Sequence, residues 1–245
     1  MEAVYKFFGK FLAGIYTDCP QSVLAVSLTA CLIRLALCPV LHRYIKSVKL
    51  SEVLKPRIDA INTQYSRNPK LANEKSMDLM NSVHYPYFGS IWNFVVELLI
   101  SWSLTQTTAH PMQYVDRFLS DGVIFKTESF LIKDFNLSAY SVLKNFSFGK
   151  SGVFYVSWPV AAVMSKFFID KHLRAHTLVE RETLDSFMLI IVAVLSFLLP
   201  QTFSLIWVIL EFVNLLHLLY VYKFVSVKLV EQSVKANKAI AGFDK

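Results

Sequence analysis

Charged and polar side chains recur at helical spacing inside three stretches of the sequence that are otherwise apolar. Within each stretch the polar residues lie three, four or seven positions apart, so they share one face of a helix. The three sets are Ser27, Cys31, Arg34 and Cys38; Asn93, Glu97, Ser101, Thr105 and Thr108; and Ser204, Glu211, Asn214 and His217. Three helices are therefore expected to have one polar face each.

Ionisable groups at membrane depth are costly and usually face a bundle interior or a water-filled cavity. We therefore expect the three polar faces to meet around a hydrated groove, with Glu97 or Glu211 as the counter-charge for Arg34. The candidate groove residues are Arg34, Ser27, Asn93, Glu97, Ser101, Thr105, Glu211 and Asn214. Two simpler interpretations stay open: Arg34 extends to the cytoplasmic interface, or the hydroxyls only satisfy helix–helix contacts.

The sequence contains no recognisable catalytic motif. It has no GxSxG, HExxH, GxxxxGK[ST] or Gly-rich nucleotide fingerprint, and its six histidines are scattered. The three cysteines, Cys19, Cys31 and Cys38, form no CxxC pair and have no histidine at metal-ligand spacing. We predict a protein that is not an enzyme and has neither a cofactor nor a metal.

The composition indicates an integral membrane protein. Of the 245 residues 54% are apolar and 18% charged, and the mean hydropathy is +0.44, whereas soluble domains average about 45–50% apolar and about 25% charged residues. The net charge of +7 is assigned to cytoplasmic loops and anionic lipid headgroups rather than to specific nucleic-acid recognition.

The hydropathy pattern predicts an all-α integral membrane fold with five transmembrane helices, because crossing the hydrocarbon takes about 20 helical residues. The predicted spans are residues 22–41, 86–108, 152–169, 186–199 and 202–222. Pro200 leaves room only for a tight turn between the last two spans, which therefore form a hairpin. Residues 1–20 have apolar residues at helical spacing and are predicted to form an amphipathic helix in the membrane interface.

A second helical hairpin is predicted between the first two spans, in residues 42–85. Leu54, Ile58, Ile61 and Tyr65 follow a helical period, Arg67-Asn68-Pro69 predicts a turn, and residues 71–80 resume helical composition. Pro56 is expected to break or kink the first helix of this hairpin. No internal repeat indicates an inverted-repeat transporter.

Basic residues predict the orientation of the spans. Residues 42–85 contain eight Lys and Arg, residues 171–185 contain three and the tail 223–245 contains five. Five spans place these segments on one side, which the positive-inside rule makes cytoplasmic. The N-terminus and the outer loop 109–151 then lie outside, although that loop also carries five basic residues. The five-span core is expected to cover residues 21–222.

The order of these elements resembles the YidC-type membrane protein insertases, including their mitochondrial Oxa and plastid Albino relatives. The similar stretches are IRLALCPVLHRYIKSVKLSEVLKPRIDAINTQY, FLIKDFNLSAYSVL and FLLPQTFSLIWVILEFVNLL. The chain departs from the family pattern in three ways. The second span begins with HYPYFGSIWN, no Gly-Leu follows the hairpin proline, and Glu97 and Glu211 are unusual charges for these helices.

The resemblance implies a protein that inserts and helps fold nascent membrane proteins without nucleotide hydrolysis. Its hydrophilic groove is expected to open to cytoplasm and lipid, and Arg34 matches the family's groove arginine. A polar or acidic outer segment of a substrate would rest in this groove, which lowers its cost of crossing hydrocarbon. The alternatives are a solute or ion transporter that uses the intramembrane Arg and Glu, and a diverged assembly factor without insertion activity.

Partners and location also follow from the resemblance. The expected partners are nascent membrane proteins and the lipid bilayer, with the ribosome and the Sec translocon as further candidates. The sequence does not distinguish a bacterial inner membrane from an organellar one, but the absence of an Arg- and Ser-rich transit peptide favours the bacterial membrane.

Overall fold

The computed structural model describes residues 2–85, 89–126, 136–144, 152–174 and 182–224. Within these ranges the regular structure is helical, apart from a single bridge between Ser138 and Pro200. The helices are α1 (Glu2–Asp18), α2 (Ser22–Gln64), α3 (Pro69–Ser82), α4 (Gly89–Ala109), α5 (Pro111–Tyr114), a 3-10 turn (Asp116–Phe118), α6 (Ala139–Lys144), α7 (Gly152–Arg174), α8 (Glu182–Leu198) and α9 (Gln201–Phe224). The all-helical class is confirmed.

Two helical segments in the described ranges are long and apolar enough to cross a membrane. They are Ser22–His42, with a mean hydropathy of 2.2, and Gln201–Val221, with a mean hydropathy of 1.9. Ser186–Leu198 is apolar but shorter. The spans predicted at 86–108, 152–169 and 186–199 stay predictions. The tail from residue 225, residues 86–88 and 175–181, and two parts of the outer loop, 127–135 and 145–151, lie outside the described residues.

Helix α2 continues from the first predicted span into the first helix of the predicted hairpin, without an interruption at Pro39 or Pro56. The break expected at Pro56 is therefore wrong, and the other expectation, a kink at Pro56, stays a prediction. A proline removes one backbone N–H from the helical ladder. Both prolines are exposed, so their rings face away from the packed interior.

The chain divides into two compact units. The first comprises Met1–Leu37, Phe94–Asp170 and Glu182–Asn214; the second comprises Cys38–Asn93, Lys171–Arg181 and Leu215–Lys245. In the second unit the end of α2 packs against α3. Leu54 is buried together with Leu79, Val83 and Tyr85, and the hydroxyls of Ser51 and Tyr85 are 3.0 Å apart. Asn68 is the N-cap residue of α3, and its side chain accepts a hydrogen bond from the Leu71 N–H.

The first unit has an apolar core drawn from α1, α2, α4 and α9. The fully buried members of this core include Leu12, Ala25, Ala30, Leu104, Ile206 and Leu210. Helix α1 packs Phe8 and Leu12 into this core but leaves Phe7 and Phe11 exposed. Helix α1 thus has one apolar face against the protein core and a second apolar face that is exposed, as expected for a helix that packs on the protein and lies in the membrane interface.

Gly9 allows α1 to pack closely against the segment that follows α4. A Cβ atom at Gly9 would overlap the backbone carbonyl of Tyr114, whereas a Cβ at Gly14 would meet no atom within 4 Å. We expect Gly9→Ala to lower the free energy of unfolding by about 1–3 kcal/mol, as overpacking does. Gly14→Ala is the matched control and should leave it unchanged or raise it by up to about 1 kcal/mol, because alanine favours helix. Equal thermal unfolding of the two variants in detergent would contradict the close packing.

Candidate functional site

Arg34 is fully buried in the part of α2 that belongs to the first unit. Its Nη2 donates a hydrogen bond to Oδ1 of Asn214 on α9 over 2.9 Å, and the same nitrogen lies 3.5 Å from Oε1 of Glu97 on α4. Glu97 is fully buried as well. The contacts that hold Arg34 inside the protein thus include an amide and a carboxylate, and its side chain does not extend to an exposed interface.

A second buried cation, Lys166 on α7, lies in the same unit. Its Nζ is 2.8 Å from Oδ1 of Asp170, one turn further along the helix, and 3.7 Å from Oε1 of Glu211 on α9. The ammonium also lies 5.7 Å from the centre of the Phe94 ring, at cation–π distance. Lys166 therefore links two carboxylates from different helices.

These groups form one chain of polar contacts, which we call the buried ion network. Its order is Asp170, Lys166, Glu211, Asn214, Arg34 and Glu97. Asn214 joins the two halves, because its Nδ2 lies 3.5 Å from Oε2 of Glu211 while its Oδ1 accepts from Arg34. Four helices, α2, α4, α7 and α9, contribute side chains to it. Every buried charged side chain in the described ranges belongs to this network.

A network of this kind is held by mutual compensation of its charges. Removing a single ion from water costs several kcal/mol, and a close opposite charge offsets that cost only if the pair is complete. Each cation of the network lies within 4 Å of a carboxylate. Deleting one partner would leave an uncompensated charge in the interior of the helix bundle.

The sequence left open which glutamate neutralises Arg34. The structure places Glu97 next to Arg34 and Glu211 next to Lys166. Ser101 and Thr105 are fully buried on α4, where the Thr105 hydroxyl donates to the Ser101 carbonyl over 2.6 Å. The Ser101 hydroxyl itself has no hydrogen-bond partner among the described residues. It is a free polar group on the face of α4 that carries Glu97.

The other candidates are placed differently. Ser27 is half-buried on α2, and Asn93 is buried but belongs to the second compact unit. In the third polar set, on α9, Ser204 and His217 make contacts outside the buried ion network. Ser204 donates to the Ser196 carbonyl of α8 over 3.2 Å, and His217 lies in the second unit with its Nε2 3.1 Å from Nδ1 of His42.

Lys166 and Asp170 belong to the site but are not among the residues singled out from the sequence. Lys166 lies four residues before Asp170, so the two charges share one face of α7, but Asp170 lies just past the predicted end of the third span. Two signals could have found Lys166: its i,i+4 spacing to Asp170 and the balance of charge in the predicted groove. Two glutamates in apolar stretches face only one arginine in the predicted groove, so a second cation is needed. No three His, Cys, Asp or Glu side chains in the described ranges are grouped so that they could hold a metal ion.

Apolar helices long enough to span a bilayer, with a buried ion network between neighbouring helices, are typical of an integral membrane protein with a polar interior. A family model for the 60Kd inner membrane protein matches residues 14–228. The chain therefore belongs to this family, which is that of the YidC-, Oxa- and Albino-type membrane insertases. No curated protein matches the chain significantly.

Proposed function

We propose that this chain inserts nascent membrane proteins into the bilayer and helps them fold, through a hydrophilic groove open to cytoplasm and lipid and without nucleotide hydrolysis. The observation that carries the proposal is the buried ion network inside apolar helices of a chain that belongs to an insertase family. The groove is built around Arg34, Glu97, Glu211 and Asn214, with Ser101 and Thr105 on the same face of α4.

The physical role of the groove is to lower the cost of moving polar groups through the membrane. A polar side chain or peptide group without hydrogen bonds in hydrocarbon costs several kcal/mol. Next to the ion network, a polar segment of the substrate exchanges hydrogen bonds with groups such as the Ser101 hydroxyl. The apolar part of the substrate then moves into lipid, where burial of its side chains drives the reaction without ATP or GTP.

The same proposal includes an orientation. The N-terminus and the loop between α4 and α7 lie outside, and the hairpin formed by α3 and the end of α2 lies in the cytoplasm, where it meets the incoming chain. The excess of Lys and Arg in residues 42–85 supports this orientation. A single cysteine in the Arg67–Lys70 turn, in a variant without Cys19, Cys31 and Cys38, should react only from the cytoplasmic side; reaction from outside only would invert the topology.

The experiment that tests the function is insertion into vesicles that contain the purified protein. A small single-span substrate synthesised in the presence of these vesicles should become protease-protected as a membrane-spanning chain. Empty vesicles and vesicles with an unrelated membrane protein serve as controls. Insertion no greater than in the controls would contradict the proposal.

The same vesicles test the two alternatives. An ion transporter is favoured by one observation, the alternation of acidic and basic groups along the network, which could form a relay for protons or ions. Ion flux without insertion would support that function. Neither flux nor insertion would support an assembly factor without insertion activity.

A further inference from the structure

Pro159 deprives one carbonyl of helix α7 of its regular helical hydrogen bond. The helix continues through this proline, but a proline has no backbone N–H to donate to the carbonyl four residues earlier. That carbonyl belongs to Tyr155, which is buried and packs against Val142 and Leu205. Because a buried carbonyl without a hydrogen bond is destabilising, this position requires a donor from outside the helical ladder.

Gln201, the first residue of α9, provides that donor. Its Nε2 donates a hydrogen bond to the Tyr155 carbonyl over 2.8 Å, and Gln201 is fully buried. The backbone N–H of the same residue donates to the Leu137 carbonyl over 3.2 Å. Gln201 thus joins the beginning of α9 to α7 through its side chain, and to the segment before α6 through its backbone.

A second polar contact joins the same two helices, between Lys166 on α7 and Glu211 on α9. Tyr155 and Lys166 are eleven residues apart, and Gln201 and Glu211 are ten residues apart, which corresponds to about 15–17 Å of helix in each case. The two contacts therefore match in spacing and fasten α7 to α9 at two levels. Since a helix fastened at two levels is hindered from sliding and rotating, the contact of Gln201 helps determine where Lys166 lies.

We propose that Gln201 is a positioning residue of the groove. By donating to the Tyr155 carbonyl in place of the backbone N–H that Pro159 lacks, it fixes α7 against α9 and so keeps Lys166 beside Glu211 in the buried ion network. Gln201 acts through α7 and does not have to touch the substrate. The consequence for insertion rests on the proposed insertase function, whereas the consequence for the position of α7 does not.

A cycle of two substitutions tests the hydrogen bond. Gln201→Met keeps the length of the side chain but removes the donor, so thermal unfolding in detergent should occur about 5 °C lower. Pro159→Ala restores a backbone N–H that donates to the same carbonyl, and in this background Gln201→Met should lower the unfolding temperature by no more than about 1 °C.

Two matched controls accompany the cycle. Pro39→Ala, at another proline inside a helix, should leave the effect of Gln201→Met unchanged, because it restores no donor to α7. Gln113→Met, at an exposed glutamine of α5, should leave the unfolding temperature unchanged.

The position of α7 is measured separately from its stability. Spin labels replace the exposed Phe168 on α7 and Phe212 on α9, in a variant without the three native cysteines. The distribution of distances between the labels should broaden in Gln201→Met and stay broad when Pro159→Ala is added, because α7 is then stable but no longer fastened by Gln201. Pro159→Ala alone should keep the narrow distribution, since a carbonyl oxygen can accept two hydrogen bonds.

Insertion of the single-span substrate into vesicles should follow the distances and not the stability. We expect insertion to fall about threefold in Gln201→Met, equivalent to about 0.7 kcal/mol. It should stay low in the double variant with Pro159→Ala, although the unfolding temperature of that variant is restored.

Each outcome bears on one part of the proposal. An unfolding temperature unchanged by Gln201→Met, or a loss as large with Pro159→Ala as without it, would overturn the role of the hydrogen bond. If Gln201→Met alone does not fold, restored folding with Pro159→Ala supports that role and failure to restore it overturns it. An unchanged distance distribution in the double variant would overturn the positioning of α7, and normal insertion despite broadened distances would overturn its importance for insertion. No insertion by the unaltered protein above empty vesicles would overturn the insertase function and leave the distances to decide the positioning.

Discussion

Replacement of Arg34 by alanine is expected to lower the free energy of unfolding by about 3–5 kcal/mol, because it leaves the buried carboxylate of Glu97 without its cation. Insertion should fall by at least about tenfold, a factor that 1.4 kcal/mol is enough to produce. Arg34→Lys should retain much of the stability and much of the insertion activity, since an ammonium can still lie near Glu97. Thermal unfolding in detergent and the vesicle insertion assay measure the two effects.

A paired variant separates the stabilising role of Arg34 from its role in insertion. Arg34→Met combined with Glu97→Gln removes both charges, so much of the stability lost in Arg34→Ala should return. Insertion should stay low, because the ion network has then lost Arg34, one of its two charged donors. Full insertion by this double variant would show that Arg34 is needed only for folding.

Replacement of Lys166 by methionine is expected to have an equally large effect on stability. Lys166 is the cation that lies near both Glu211 and Asp170, so its loss leaves two carboxylates close to each other in the interior. We expect the free energy of unfolding to fall by about 3–5 kcal/mol. The additional change Glu211→Gln should restore much of the loss, as measured by thermal unfolding.

Lys171 provides the control for Lys166, because it lies on the same helix α7 and is exposed. Lys171→Met should change the free energy of unfolding by no more than about 0.5 kcal/mol, as is usual for surface positions. A loss of similar size in both variants would mean that the effect comes from the helix and not from the ion network.

The sequence predicted the elements of the fold well where one local signal dominates. The bounds of α4 and α9 lie close to the predicted spans 86–108 and 202–222, because long apolar runs with a marked end determine them. The merging of the first span with the next helix into α2 was not predicted. Pro56 was expected to interrupt the helix because a proline removes one backbone N–H, but α2 continues on both sides of it.

The site was predicted in part, and the missing part has a physical reason. Arg34, Glu97, Glu211 and Asn214 were found because each lies on a polar helical face, and the structure brings them together. The pairing within the site depends on how helices pack, which spacing along one helix does not determine. Lys166 and Asp170 are four residues apart on α7, so helical spacing could have paired them, but the predicted third span ended at residue 169 and left Asp170 outside it.

The proposed function requires that a polar segment of the substrate passes next to the ion network inside the protein. The most direct test is disulfide crosslinking between a cysteine in that segment and a cysteine at Ser101, which is fully buried on α4 and close in size to cysteine. Leu99→Cys on the exposed side of the same helix is the control. Both are made in a variant without Cys19, Cys31 and Cys38. During insertion, we expect a crosslink at position 101 and little at position 99. Insertion that proceeds with the crosslink at position 99 and none at position 101 would contradict it.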